Sequence, residues 1–349
     1  MQALTAGARG ARVGAKRGAR GLRYTVVCSV RDEGAFLVEW VAWQRMLGFG
    51  DVVVVTNACT DASPDLLDAM QTQGWVTHLR CDVPSGQRIT ATKLAAAKAL
   101  PQVDGADWVM VADVDEFLNI HRGAGRLDDL LGGVDAPFLG MSIPWRVFGT
   151  TGRAVWQDGV QHRMYTRAAP VGARLSAWVK SIHRHPRWFQ RLAEHSPKRL
   201  KPARMQDWGK TGMRWVNPAG QSVPDWTPAE DSLRRLPPDL RGFEVAQINH
   251  LMLRSRESFA LKRGTLSPVA GRDRYTEAYW SEADRNEVED VTILRHAAAF
   301  DAVHGAMMAV PAIAALHHRC CADYAARLCA KAGADPRDDA RWQAHLARA

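Results

Sequence analysis

The run Asp107-Trp108-Val109-Met110-Val111-Ala112-Asp113-Val114-Asp115-Glu116-Phe117 reads as a buried strand that ends in carboxylates. From Trp108 to Ala112 there is no polar alternation, the pattern of a strand covered on both faces of an α/β sheet. Side chains of a strand alternate, so Asp113 and Asp115 are expected to point the same way and Val114 the other. Two carboxylates on one side make a hard-oxygen site suited to Mg²⁺ or Mn²⁺ carrying a phosphate, and the cation relieves their repulsion. A D-x-D triplet alone is a weak signal, and its ordinary alternative is an acidic junction facing water.

Upstream, strands alternate with helices. Tyr24 to Val30 is a first strand, ending at Arg31-Asp32-Glu33-Gly34. Phe36, Leu37, Trp40, Val41 and Leu47 then recur at helical spacing, closed by Gly48 and Gly50. Val52 to Val55 is a second buried strand, running into Asn57-Ala58-Cys59-Thr60-Asp61. Ser63 is expected as the N-cap and Pro64 as the first residue of a helix to Gln73. Trp75 to Arg80 is a third strand, and a helix from about Ile89 to Leu100 leads to the Trp108 strand. The alternation predicts a parallel sheet with right-handed crossovers, whose ligands sit beyond the carboxyl ends of the strands. Three polar clusters then share one rim: Arg31-Asp32-Glu33, Asn57 to Asp61, and Asp113 to Asp115.

The chain of 349 residues suits one large domain or a domain with an appendage. Its formal charge of +9 is misleading until located: residues 1–23 carry six Arg and Lys and no acid, leaving +3 for the rest. That Gly/Ala/Arg leader is expected to be disordered and basic, with attraction to anionic lipid open to it. It lacks the apolar core of a secretory signal, and an Arg-rich, acid-poor leader leaves organelle targeting open. No apolar run of about 18 residues suggests a membrane span. Six cysteines without a regular framework fit a reducing cytoplasm, with peripheral contact at the inner face of a membrane compatible with the leader.

The ordered combination of Val30-Arg31-Asp32-Glu33-Gly34, Glu39-Trp40-Val41, Gly48-Phe49, Asn57 to Asp61 and Asp107 to Leu118 resembles bacterial family 2-type glycosyltransferases. Ile143-Pro144-Trp145-Arg146-Val147-Phe148-Gly149, Gln247 to Phe259 and Lys262-Arg263-Gly264 extend the likeness over roughly residues 24 to 265. The resemblance implies a GT-A type, Rossmann-like, mostly parallel α/β sheet flanked by helices. The domains expected are a leader (1–23), a GT-A glycosyltransferase domain (24–270) and a helical C-terminal extension (271–349). The implied activity is metal-dependent transfer of a sugar from a nucleotide-diphosphate sugar to an acceptor hydroxyl, in surface polysaccharide or glycolipid synthesis.

By that resemblance Arg31, Asp32, Glu33, Asn57 and Asp61 hold the base and ribose of the donor. Asp32, Glu33 and Asp61 can accept hydrogen bonds from amides or hydroxyls, and the ordinary alternative for them is turn or helix capping. Arg88 and Lys93 are placed to reach phosphate or sugar, with a solvated helix residue the alternative for Lys93. Asp113 and Asp115, joined by His250, would hold Mn²⁺ or Mg²⁺ on the diphosphate, and Lys262 and Arg263 would neutralise its oxygens. Trp145 and Arg146 offer an aromatic face and a guanidinium to the acceptor, or else core packing and a surface ion pair. For the general base Asp158, Glu194, Glu230 and Asp231 are candidates, and no motif chooses among them.

The segment from Ser181 to Arg204 is dense in Arg, Lys and His, and reads as a basic loop for an anionic acceptor, a donor lid or a solvated surface. His317, His318, Cys320, Cys321 and Cys329 match no standard zinc spacing, so a structural zinc is not expected. A nucleotidyltransferase on a related fold would carry a Gly-rich basic loop after the first strand, where this chain has Arg31-Asp32-Glu33-Gly34. A dehalogenase-type phosphatase would end its first strand in the nucleophilic aspartate. A sugar- or nucleotide-binding protein without turnover would bind the donor and not consume it. A nucleic-acid binder would depend on the leader and the basic segment.

Overall fold

Valine-rich runs build the centre of one sheet. In the computed structural model, which describes residues 21–208, 210, 212–229, 233–265 and 273–349, the first strands are β1 (Tyr24–Val30), β2 (Asp51–Thr56), β3 (Thr77–Arg80) and β4 (Trp108–Val111). The leader as far as residue 20, and Glu230 and Asp231, lie outside the described residues. These four strands pair in parallel in the order β3-β2-β1-β4. The crossovers carry α1 (Gly34–Leu47), α2 (Ser63–Thr72) and α3 (Ile89–Lys98).

The chain then adds β5 (Glu116–Ile120), β6 (Phe138–Val147), β7 (Val179–Arg184), β8 (Arg214–Val216) and β9 (Ala246–His250). The nine-stranded sheet has the order β3-β2-β1-β4-β7-β6-β9-β5, with β8 beside the first half of β6. Only β7 and β5 run against the others. The carboxyl ends of β1, β2, β4, β6 and β9 therefore share a rim with the first residues of β7 and β5. The architecture is the α/β, mostly parallel sheet flanked by helices that the sequence implies, and it continues into C-terminal helices.

Strand β7 corrects one expectation. Ser181 to Arg184 belong to the middle of the sheet, not to a basic loop. Lys180, Ser181 and His183 interrupt the apolar pattern, yet all three are buried. Their polar groups are satisfied inside the fold: Lys180 by carboxylates, and Ser181 by Ser142 at 2.8 Å.

Helix α1 shows how the edge of the sheet is closed. Trp40 and Trp43, three residues apart on one face, are fully buried. Their indole N–H groups donate to Glu116 O (3.2 Å) and Leu118 O (3.0 Å), main-chain acceptors on edge strand β5. Gly48 ends the helix at φ 110°, a left-handed conformation that favours glycine.

Downstream lie α4 (Arg256–Lys262), α5 (Ala297–Met308), α6 (Pro311–Ala332) and α7 (Ala340–Leu346). Phe300 of α5 and Ile313, Cys320 and Leu328 of α6 join the same core as α1. At the start of α1 the approach is so close that a Cβ on Gly34 would sit 2.3 Å from Cys320 Sγ. Among the described residues no single helix is long and apolar enough to cross a membrane; one pair, 292–308 with 311–332, passes only jointly and is bent by 97°.

Trp43 also packs on Phe117, His162, His296 and Phe300, tying β5 to the C-terminal helices. Trp43→Ala is expected to lower unfolding free energy by about 3–5 kcal/mol in urea denaturation. A loss below about 1 kcal/mol would show that this contact is not a centre of the core.

Candidate active site

The carboxylates lie in a turn, because β4 stops at Val111. Glu116 N donates to Asp113 O (3.1 Å), and Asp113 N donates back to Glu116 Oε2 (2.9 Å). The strand alternation expected for Asp113 and Asp115 therefore does not apply, and each carboxylate has its own cationic partners.

Asp113 meets Lys180, the second residue of reversed strand β7. Lys180 is fully buried, and its ammonium donates to Asp113 Oδ2 (2.7 Å) and lies 3.0 Å from Glu116 Oε2. Burial alone would lower the lysine pKa; Asp113 and Glu116 reverse this and raise it, so the side chain stays charged. For Glu116 burial wins: it pushes the carboxyl up to about 7, helped by Asp113 and Asp115 against the pull of Lys180 and His250. No sequence motif marks Lys180. The available signal was a lysine inside an otherwise strand-like Val179-Lys180-Ser181-Ile182.

Asp115 meets a different set. His250 Nε2 is 3.5 Å from its Oδ1, and Lys262 Nζ is 3.8 Å from its Oδ2. Burial would raise this carboxyl, but His250, Lys262 and Arg254 more than offset that and hold it well below the usual range. His250 ends β9 directly opposite Glu116 in the antiparallel pair, and the Trp145 ring packs edge-on against it at 4.3 Å. Among the described residues, His250 Nδ1 and Glu116 Oε1 are both buried without a hydrogen-bond partner, 3.9 Å apart. Arg254, part of the Gln247 to Phe259 stretch but given no role there, is buried and donates to Glu33 Oε2 at 2.9 Å.

Several candidates for the base and ribose serve the loops themselves. Asp32, at φ 55°, accepts from Thr60 N (2.5 Å) and Asp61 N (3.3 Å). Asp61 accepts from Gly34 N (3.1 Å) and Ser63 N (3.0 Å), so one carboxylate serves the starts of α1 and α2. Ser63 is the first residue of α2 and not its N-cap. Burial raises the Asp61 carboxyl despite these bonds. Asn57 donates to Cys81 O (2.9 Å), while Arg31 stands exposed with Asp32 at 3.7 Å. Lys93 is buried, not solvated, and donates to Val30 O at the end of β1 (2.7 Å).

A cavity of about 460 Å³ runs along α3, lined among others by Arg88, Lys98, Glu194, His195 and Arg234. Burial first, and Asp113 second, raise the Glu194 carboxyl, and no hydrogen bond among the described residues ties it down. His195 is held neutral, its pKa lowered to about 4 by burial and Lys180, and its ring packs on Trp145 and Trp178. Trp145 is thus mostly covered by other rings. Arg146, next to last in β6, does not offer its side chain to a ligand: it is buried 3.1 Å from Asp290, an ion pair of the interior and not of the surface. Arg263 is exposed and pairs with Glu277 (3.0 Å). Asp158 contacts His317, His345 and Cys321 of the C-terminal helices instead of the Asp113 turn; burial would raise its carboxyl, and the two histidines bring it to about 2.

No protein-family model and no curated protein matches the chain. Among solved structures, S. aureus TarS 1–349 aligns over 93% of this chain and 90% of its own at 13% identity, with a TM-score of 0.30. Its complex with UDP aligns over the same shares at 13% identity and a TM-score of 0.32. A putative glucose-1-phosphate thymidylyltransferase from Bacillus anthracis, in complex with a sucrose, aligns over 56% of this chain and 86% of its own at 10% identity and a TM-score of 0.30. Likeness at this level assigns no role to any residue here.

Removing the buried ammonium should expose how much the turn needs it. Lys180→Met leaves Asp113 and Glu116 uncompensated and is expected to cost about 3–5 kcal/mol near neutral pH, measured by denaturant unfolding. Without Lys180 the folded-state carboxyl pKa values rise above their unfolded values. The folded state then binds more protons, so the deficit should shrink as pH falls from about 7 toward about 5. A deficit independent of pH would contradict the ion-pair account.

Proposed function

We propose that the protein transfers a sugar from a nucleotide-diphosphate sugar to an acceptor hydroxyl. The observation that carries this reading is Asp115, set at the common rim of β1, β2, β4 and β9 within 3.5 Å of His250 Nε2 and 3.8 Å of Lys262. A carboxylate, an imidazole and an ammonium meeting there suit a diphosphate with a divalent counter-ion. Asp115 and His250 fit such an ion: their facing atoms are close enough to share it, and a carboxylate with one imidazole suits Mn²⁺ better than Mg²⁺, which takes oxygen ligands. Asp113 turns to Lys180, and Asp113, Asp115 and His250 are not among the clusters whose ligand atoms all lie within 4.8 Å. The bound cation would stabilise charge on the nucleoside-diphosphate leaving group.

In this reading Lys262 faces diphosphate oxygens, and Arg88 and Glu194 line the cavity along α3 where the sugar and acceptor meet. Glu194, with its raised carboxyl and no competing hydrogen bond among the described residues, is the base that takes the acceptor proton. Residues 24–270 form the transferase domain and 271–349 its extension. The acceptor is a glycan or lipid-linked hydroxyl of surface polysaccharide or glycolipid synthesis. The Lys180–Asp113 pair favours one second reading, a nucleotide-sugar binder without turnover, because it places a protein cation on the first aspartate.

The test is release of nucleoside diphosphate from a panel of nucleotide sugars, with Mn²⁺ and with hydroxyl acceptors. Transfer is expected with at least one donor, and Glu194→Gln should slow it by about 10²–10⁴ while donor binding persists. Native rates in that variant would remove Glu194 from the role. Donor binding without any release would favour the binder.

A further inference from the structure

Away from the rim, α6, the segment before β7 and α7 bring five metal-binding side chains to one place. His317 and Cys321, four residues apart, share a face of α6. Asp158 reaches them from the long connection after β6, and His345 from α7. The three distances within the first set are nearly equal: His317 Nε2 to Asp158 Oδ1 3.7 Å, Cys321 Sγ to His317 Nε2 3.6 Å, and Cys321 Sγ to Asp158 Oδ1 3.8 Å. His345 Nε2 is 3.9 Å from the other oxygen, Asp158 Oδ2. The carboxylate–imidazole separations are too long for hydrogen bonds. They lie close to the roughly 3.3–3.7 Å edges of a tetrahedron built from zinc–ligand bonds of about 2.0–2.3 Å.

We propose that Asp158, His317 and Cys321, whose ligand atoms all lie within 4.8 Å of one another, hold a Zn²⁺ ion that fastens helix α6 to the α/β domain, with water completing the tetrahedron. The donor set is the one zinc prefers, a thiolate, an imidazole and a carboxylate. One thiolate and one carboxylate balance the ion's charge, with the thiolate and imidazole buried and Asp158 on the exposed side. Beside it, His345 Nε2 lies 3.9 Å from the second oxygen of Asp158, and His318 Nδ1 lies 3.1 Å from His345 Nδ1, so the carboxylate ligand has imidazole neighbours of its own. Cys321 is fully buried and the three histidines are nearly so. The sequence hid the site because its ligands are spread from 158 to 321, and only His317 and Cys321 are neighbours on a helix. The inference does not depend on the transfer reading, since neither Asp115 nor His250 takes part.

The test uses the full chain. Freshly purified protein should hold about one zinc per chain by elemental analysis, and chelation should lower Tm on the order of 5 °C. Replacement with Co²⁺ should give the visible bands of a tetrahedral ion and a near-ultraviolet thiolate-to-cobalt band. Cys321→Ser, judged folded by circular dichroism, should lose the thiolate band, while Asp115→Ala keeps both zinc and spectrum. If Cys321→Ser fails to fold, loss of the thiolate band on chelating the native protein, with return on adding Co²⁺, supports the site. Native protein that takes up neither Zn²⁺ nor Co²⁺, or whose cobalt spectrum lacks the thiolate band, overturns it.

Discussion

The ammonium of Lys180, buried between Asp113 and Glu116, is the interaction on which the rim depends. Three carboxylates within four residues repel one another, and two of them are removed from water. Without a cation beneath them the turn from β4 to β5 would either open or neutralise its acids. With the cation in place, Asp113 is tied down and Asp115 is left to face His250 and Lys262. The site is thus divided into a structural half and a half able to meet a ligand.

The topology explains how that cation arrives. A purely parallel sheet would bring only carboxyl ends of strands to the rim, each leading into a loop. Reversal of β7 and β5 places their first residues there instead, rigidly held by sheet pairing on both sides of β7. Lys180 sits beside the end of β4, and Glu116 stands opposite His250. Burial of α1 on β5 through Trp40 and Trp43 keeps this edge in register. The C-terminal helices then reinforce the rim from outside, as Arg327 of α6 donates to Asp32 O at 3.1 Å.

Much of this was legible in the residues. The apolar runs at β1, β2 and β4, the helical spacing of α1 and the glycine at its end follow from local rules of burial and backbone freedom. The acidic turn was found from residue type and position and His250 through the family resemblance, and they do meet, though through a turn and not through strand alternation. Lys180 and Arg254 escaped because their partners lie far off in sequence, so that a lysine in a strand or an arginine in a loop carries no local sign of pairing. Asp32, Asn57 and Asp61 look identical in sequence whether they bind a ligand or hold a loop. Their hydrogen bonds show that they already do the latter. Arg146 is likewise ambiguous until Asp290 appears beside it.

The central claim is that Asp115 and His250 hold the divalent ion through which a nucleotide diphosphate is bound. Calorimetric titration of nucleoside diphosphates into the native protein and Asp115→Ala, each with Mn²⁺ and with EDTA, tests it most directly. The account predicts saturable binding of one nucleoside diphosphate to the native protein with Mn²⁺, and its loss in EDTA and in the variant. Equal binding by both proteins, or binding indifferent to the metal, would contradict it.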